Sequence, residues 1–234
     1  MKVAVCQLDI KYEDKAYNLA SAKQYIQEAS EAGADLIVFP EMSFTGFSMN
    51  TDLTGEEDEY TSSVMQELSE EFEIAIGYGW VEGVEECENK YTIVTPDDGE
   101  IASYSKIHLF DPDGEDEHFV PGEEIEIFPF DDLSMGLAIC YDLRFDDVFE
   151  DMEPVTDAVI VAANWPEERI DDWNDLLIER AKEINSYVIG VNCYGEQDGR
   201  YYNGSSAVIA PDGKVICHTE GLEDIIYADI EPVE

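Results

Sequence analysis

Met135-Gly136-Leu137-Ala138-Ile139-Cys140-Tyr141-Asp142-Leu143-Arg144-Phe145 is a short apolar run that breaks at a cysteine into a polar segment. The apolar part has strand length and no polar alternation, so it reads as a buried strand. A cysteine at such a strand end, followed by a sharp turn, can present its sulfur in a cleft. The next backbone N–H can then serve as an oxyanion donor. The competing reading is a buried cysteine acting as a small hydrophobe. That reading suits Cys6 and Cys193, while Cys87 and Cys217 look incidental.

Outward from this strand, short apolar runs alternate with amphipathic ones. Val3–Leu8, Asp35–Pro40, Ile74–Trp80, Lys90–Thr95, Ala158–Ala162 and Tyr187–Asn192 read as strands. Ala16–Ala32, Ser62–Phe72 and Asp172–Ser186 have helical spacing, and Gly33 is a C-terminal cap. Residues 111–126 read as a charged loop. Two hairpins repeat a pattern: Tyr91–Tyr104 around Pro96-Asp97-Asp98-Gly99, and Ser206–His218 around Pro211-Asp212-Gly213. Asp35–Glu41 likewise resembles Asp157–Trp165, each an apolar strand ending in polar residues beside a proline. The chain therefore reads as one α/β domain over residues 1–234, built from two similar halves with mixed sheets covered by helices.

Composition narrows the function. The 234 residues carry 56 acidic and 12 basic side chains, a net charge of −44. With 44% hydrophobic residues the chain is too apolar for an acidic disordered protein. The charge argues against nucleic-acid or anionic-membrane partners. Because the acids are spread along the whole sequence, they read as the solvated surface of a protein adapted to a salt-rich cytoplasm. The rival reading is a non-catalytic acidic binding protein. Five widely spaced cysteines without a CxxC pair argue against a zinc ribbon or a disulfide framework. No signal-peptide core or membrane-length apolar stretch occurs, which points to a reducing cytoplasm.

Two further residues stand out. Glu41 ends the strand Asp35–Pro40, a suitable place for a general base, although most glutamates lie on surfaces. Lys106, in Ser105-Lys106-Ile107-His108-Leu109-Phe110, is one of only eight lysines. Its ammonium can stabilise an oxyanion or lower a neighbouring thiol's pKa, and otherwise it snorkels at a sheet edge. The three histidines form no metal motif, and Asp111–Gly122 fails the EF-hand template. There is no GxGxxG, P-loop or GxSxG, so the sequence gives no support for a cofactor, a metal or a serine nucleophile.

In combination, Phe39-Pro40-Glu41-Met42, Tyr104-Ser105-Lys106-Ile107-His108-Leu109-Phe110 and Ile139-Cys140-Tyr141-Asp142-Leu143-Arg144-Phe145 resemble the nitrilase superfamily of carbon–nitrogen hydrolases. The resemblance runs from Val3 to about Asp229. It implies a four-layer αββα sandwich and a Glu41–Lys106–Cys140 triad that needs no cofactor. It also implies a second active-site glutamate beside the lysine, with Glu115 preferred over Glu117. Thr45-Gly46-Phe47-Ser48-Met49 and Ala163-Asn164-Trp165-Pro166 resemble the omega-amidase branch, which hydrolyses amides of 2-oxo acids. Hydrolases of N-carbamoyl compounds or aliphatic amides are the alternative. Tyr141 stands where nitrilases usually carry tryptophan, which favours amides over nitriles.

As substrate-binding candidates the resemblance marks Tyr141, Asn164, Trp165, Arg144 and Phe47. Arg144 has a structural alternative, as a buried arginine tying down Asp142 or nearby backbone. Phe44 and Phe47 are each either a pocket or a core residue. Departures are trimmed loops around Asp52–Thr61 and Glu123–Ser134, and Asp146 in place of a common proline. A small-molecule amide partner and a homodimer are also implied.

Overall fold

A computed structural model describes residues 1–153 and 155–233. In chain order, the elements are β1 (Lys2–Gln7), α1 (Lys15–Glu31), β2 (Leu36–Val38), α2 (Thr51–Thr54) and α3 (Tyr60–Phe72). Then come β3 (Ala75–Glu82), β4 (Glu88–Thr95), β5 (Gly99–Ser105), β6 (Ile127–Phe130), β7 (Leu133–Ile139) and α4 (Asp146–Glu150). The last are β8 (Ala158–Ala163), α5 (Ile170–Glu183), β9 (Tyr187–Asn192), β10 (Tyr194–Gln197), β11 (Arg200–Ile209), β12 (Val215–Glu220) and β13 (Asp224–Asp229).

Two mixed sheets form. One has the order β13-β1-β2-β3-β4-β5, and the other β10-β11-β9-β8-β7-β6, with β12 paired to β11. Alternation along each strand explains how they stack. Val3 and Val5 of β1 point into a core shared with Leu137 and Ile139 of β7 and Ile160 of β8, so the sheets pack face to face. Ala4 and Cys6 point the other way, under Ala22 and Ile26 of α1 and Met65 of α3. The outer face of the second sheet, with Ala138, Val159 and Val161, is covered by Trp173 and Leu177 of α5 and Phe149 of α4. The order helix, sheet, sheet, helix is the four-layer αββα sandwich that the family resemblance implies.

Helix ends follow local chemistry. Asp14 caps α1 by accepting from the Tyr17 N–H at 3.1 Å. Gly33, at φ +71°, turns the chain out of that helix. The end of α5 differs from the sequence expectation. The helix begins at Ile170 and stops at Glu183 rather than Ser186, because Asn185 adopts φ +51°. Residues 111–126 are more ordered than a plain loop, since Asp111–Asp113 and Glu115–Glu117 form successive 3-10 turns.

The repeat seen in sequence is also a repeat in space. The Asp35 carboxylate accepts from the Lys2 N–H at 2.6 Å, and the Asp157 carboxylate from the Ser134 N–H at 2.8 Å. The Asp35 carbonyl accepts from Ala75 N–H, and the Asp157 carbonyl from Tyr187 N–H. Each aspartate thus sets the register of a parallel strand, β2 or β8, between two neighbours. Six to eight residues later both strands end at the same rim, one delivering Glu41 and the other Asn164 and Trp165.

Candidate active site

Glu41, Lys106 and Glu115 come from three separate segments and meet with their side chains fully buried. Lys106 Nζ lies 2.8 Å from Glu41 Oε1 and 2.8 Å from Glu115 Oε2. A fourth buried side chain joins the two acids, because Asn89 Nδ2 donates to Glu41 Oε1 at 2.8 Å and to Glu115 Oε1 at 2.9 Å. Glu115 Oε2 also accepts from the Phe110 N–H at 2.6 Å. Glu117 is exposed, so the geometry selects Glu115 as the partner of the lysine.

Glu41 sits in a tight turn held against β3. Ser43 N–H donates to the Gly79 carbonyl and Gly79 N–H to Ser43 Oγ, each at 2.9 Å. A Cβ on Gly79 would lie 2.9 Å from the Glu41 backbone carbon, so only glycine lets the turn come this close. On the opposite side, Asn164 donates its backbone N–H to Glu41 Oε2 at 2.9 Å and its side-chain amide to the Glu41 carbonyl at 2.7 Å.

Cys140 occupies the elbow between β7 and the 3-10 turn Cys140–Arg144, at φ +47°. Non-glycine residues rarely adopt that backbone, and here the strain aims the sulfur away from the sheet toward the pocket. Asp142 holds the elbow. Its buried carboxylate accepts from Ile139 N–H at 2.9 Å, Tyr104 O–H at 2.8 Å and His108 N–H at 2.8 Å. The segment bearing Lys106 is thereby fastened to the turn bearing Cys140.

The electrostatics follow from burial and neighbours. Burial works against the Lys106 charge, but the carboxylates of Glu115 and Glu41 outweigh it and hold the ammonium protonated, its pKa well above the usual lysine range. Burial raises the Glu115 pKa, opposed by Lys106 and assisted by Glu41. Burial, followed by the Glu41 charge, pushes the Cys140 thiol well above the ordinary range, and Lys106 only partly opposes this. Lowering of the thiol pKa by the lysine, one of the two roles open to Lys106 in the sequence, therefore does not prevail. At neutral pH the sulfur rests as a thiol beside a buried carboxylate.

All five candidate binding residues line the pocket over Cys140: Phe47, Tyr141, Arg144, Asn164 and Trp165. Phe47 also lies over Lys106 Nζ, 5.3 Å from ring centroid to nitrogen. The structural alternative for Arg144 is corrected. Its guanidinium is partly exposed, pairs with Asp172 at 2.6 Å and stacks on Trp165 at 4.8 Å, with no bond to Asp142. The buried arginine that ties backbone is Arg180, whose Nε donates to the Leu143 carbonyl at 3.1 Å. Phe44 belongs to the core under α1, not to the pocket.

Several site residues carried no signal in the sequence. Asn89 is one. Gln197 is another: it accepts from Phe47 N–H, and donates to Asn164 Oδ1 and Cys193 Sγ, each at 3.2 Å. Polar amides belong to no short motif, and only the fold shows what they touch.

An αββα sandwich whose rim joins an elbow cysteine to a buried Glu–Lys–Glu cluster defines the class of carbon–nitrogen hydrolases. The chain belongs to that family: the family model described as carbon-nitrogen hydrolase matches residues 2–234. It is 30% identical to a 2-oxoglutaramate amidase of Bacillus subtilis, over 98% of this chain and 90% of that protein. It is also 30% identical to the omega-amidase YafV of Yersinia enterocolitica, over 94% of this chain and 85% of that one. Among solved structures, a CN-hydrolase superfamily protein from Xanthomonas campestris superposes with a TM-score of 0.92 at 25% identity, covering 99% of this chain and 90% of that one. An amidase from Nesterenkonia sp. AN1, at 23% identity, shares the fold with a TM-score of 0.93 over 99% and 93% of the two chains.

Proposed function

We propose that the protein is an omega-amidase that hydrolyses the terminal amide of a 2-oxo acid, releasing ammonia through a Cys140 thioester. The observation that carries this reading is the nearness of Cys140, on its strained elbow in the pocket lining, to the buried Glu41–Lys106–Glu115 cluster whose charges act on its sulfur. The names of the Bacillus and Yersinia relatives support the choice of substrate.

The geometry suggests how each group works. As Cys140 Sγ attacks the amide carbonyl, Glu41 takes the thiol proton and then passes it to the departing ammonia. An ammonium has three N–H donors. Lys106 Nζ donates to Glu41 Oε1 at 2.8 Å and to the two Glu115 oxygens at 2.8 and 3.1 Å, and the oxyanion displaces the longer of these contacts. The Tyr141 backbone N–H supplies a second donor, and each such contact contributes about 3–4 kcal/mol. A water deprotonated by Glu41 then opens the thioester, giving the carboxylic acid and restoring the thiol. Glu115 orients Lys106, and Asn89 holds both carboxylates in place.

The family likeness and the charge extend the proposal. The chain acts as one catalytic unit, as a homodimer, in a reducing, salt-rich cytoplasm. Among the described residues no helix is long and apolar enough to cross a membrane.

The test is ammonia release from 2-oxoglutaramate or 2-oxosuccinamate in molar KCl, with wild type beside Cys140→Ala. Release that disappears in the variant supports the reading. Wild-type protein that releases no ammonia overturns it.

A further inference from the structure

The chain has four arginines, Arg144, Arg169, Arg180 and Arg200, and three of them line the pocket over Cys140. This placement is unusual in a protein of net charge −44. Asp113 is the one acid among the residues lining that pocket, so the lining itself carries an excess of positive charge. Most of this charge is already engaged. Arg144 pairs with Asp172 and Arg200 with Asp113. Away from the pocket, buried Arg180 pairs with Asp146 and Glu183.

Arg169 is the exception, the one arginine with no carboxylate partner among the described residues. It is also well placed. Its guanidinium stacks over Phe110 at 4.5 Å. Its N–H donates to the Pro166 carbonyl at 3.1 Å, and its own carbonyl accepts from Trp165 Nε1 at 2.8 Å. The backbone at Arg169 is therefore pinned from both sides before any ligand arrives, which lowers the ordering cost of binding. An uncompensated, pre-positioned guanidinium facing a pocket is suited to a planar anion that accepts two parallel N–H bonds.

We infer that Arg169 is a specificity-determining residue that holds the carboxylate at the far end of the substrate while Cys140 attacks its amide. This rests on the amidase reading above and extends it to the substrate's other end. Arg144 and Arg200, held by Asp172 and Asp113, frame the pocket and add positive field without releasing their own partners. The same arrangement resolves a conflict of charge. A strongly anionic protein repels an anionic substrate at long range, and a local cluster of arginines restores attraction where the reaction occurs.

The experiment compares kcat/KM for 2-oxoglutaramate and for its 1-methyl ester, which keeps the amide and removes the charge. Ammonia release is read in molar KCl for wild type, Arg169→Met, Arg169→Lys and Arg144→Met, with folding checked by circular dichroism. Wild type is expected to favour the free acid, and the acid-to-ester ratio should fall about 30-fold in Arg169→Met, the loss of one charge-assisted bidentate contact. Arg169→Lys should recover part of the ratio, as a point charge in place of a fork. A wild-type ratio near one, an unchanged ratio in folded Arg169→Met and Arg169→Lys, or a larger drop in Arg144→Met overturns the inference and leaves the amidase reading intact. Wild-type protein that cleaves neither compound overturns both.

Discussion

Asn89 Nδ2 lies 2.8 Å from Glu41 Oε1, and both side chains are fully buried. The same nitrogen serves Glu115, so one neutral amide helps hold two buried carboxylates that share a single lysine. Two buried acids beside one cation are stable only while every nearby donor is used. Asn89→Leu removes one of these donors and leaves both acids short. The expected outcome is a loss of about 1–3 kcal/mol in unfolding free energy, the cost of leaving a buried acceptor unpaired. Denaturant unfolding in constant molar KCl reads this. Ammonia release should fall in the same variant, because Glu41 and Glu115 lose their common restraint. Wild-type stability together with wild-type turnover would show that Asn89 is a bystander.

Cys140 offers a test that needs no substrate. Burial, then the Glu41 charge, raises its pKa, while Lys106 lowers it. Alkylation by iodoacetamide should therefore be slow at neutral pH and accelerate as pH rises, since only the thiolate reacts. Glu41→Gln removes a raising influence, so its alkylation profile should shift to lower pH than in wild type. Lys106→Met removes a lowering influence, so its profile should shift upward. Profiles that coincide across all three proteins would refute the assigned electrostatics.

His108 links stability to pH. Its hydrogen bond to Asp142, aided by the charges of Asp142 and Asp147, raises its pKa above 6.5 in spite of partial burial. A histidine raised in the folded state contributes stability that is complete below its unfolded pKa. The contribution is lost as pH climbs through the folded value. His108→Gln should therefore cost more stability at pH about 5.5 than at pH about 9, on either side of the ordinary histidine range. Equal losses at the two pH values would mean that the charge on His108 contributes nothing. The stacking of His108 on Phe145, with ring centroids 3.7 Å apart, supplies a part of its role that does not vary with pH.

The net charge of −44 predicts a dependence on salt. Repulsion among surface carboxylates destabilises the compact state at low ionic strength, and at 1 M salt the screening length falls to about 3 Å. Thermal stability and turnover should both rise from dilute buffer to molar KCl. An optimum in salt-free buffer would defeat the halophilic reading.

The core elements were legible in the sequence because their signals are local. β1, β7, β8 and β9 are apolar runs, and α1 and α3 have helical spacing, with Gly33 marking the end of α1. β6, β10 and β13 have no clear strand signal in the sequence. They are short or half-buried edge strands, and their alternation is too weak to separate from loop sequence. β6 falls in the segment read as a trimmed loop, where it forms a hairpin with β7.

For the site, the sequence by itself determined which chemistry-bearing residues exist and where each ends its strand: Glu41 after β2, Lys106 after β5, Cys140 after β7. Their types and order carried the family resemblance, and that survives without coordinates because it depends on local strings. Only the tertiary structure decided what they touch. It chose Glu115 over Glu117 by burying one and exposing the other. It gave the backbone-tying role to Arg180 rather than Arg144, brought Asn89 to the buried acids and Gln197 to Asn164, and put Arg169 in the pocket lining. Hydrogen bonds between residues such as Asn164 and Glu41, 123 positions apart, arise from the packing of two sheets. No local pattern encodes that approach.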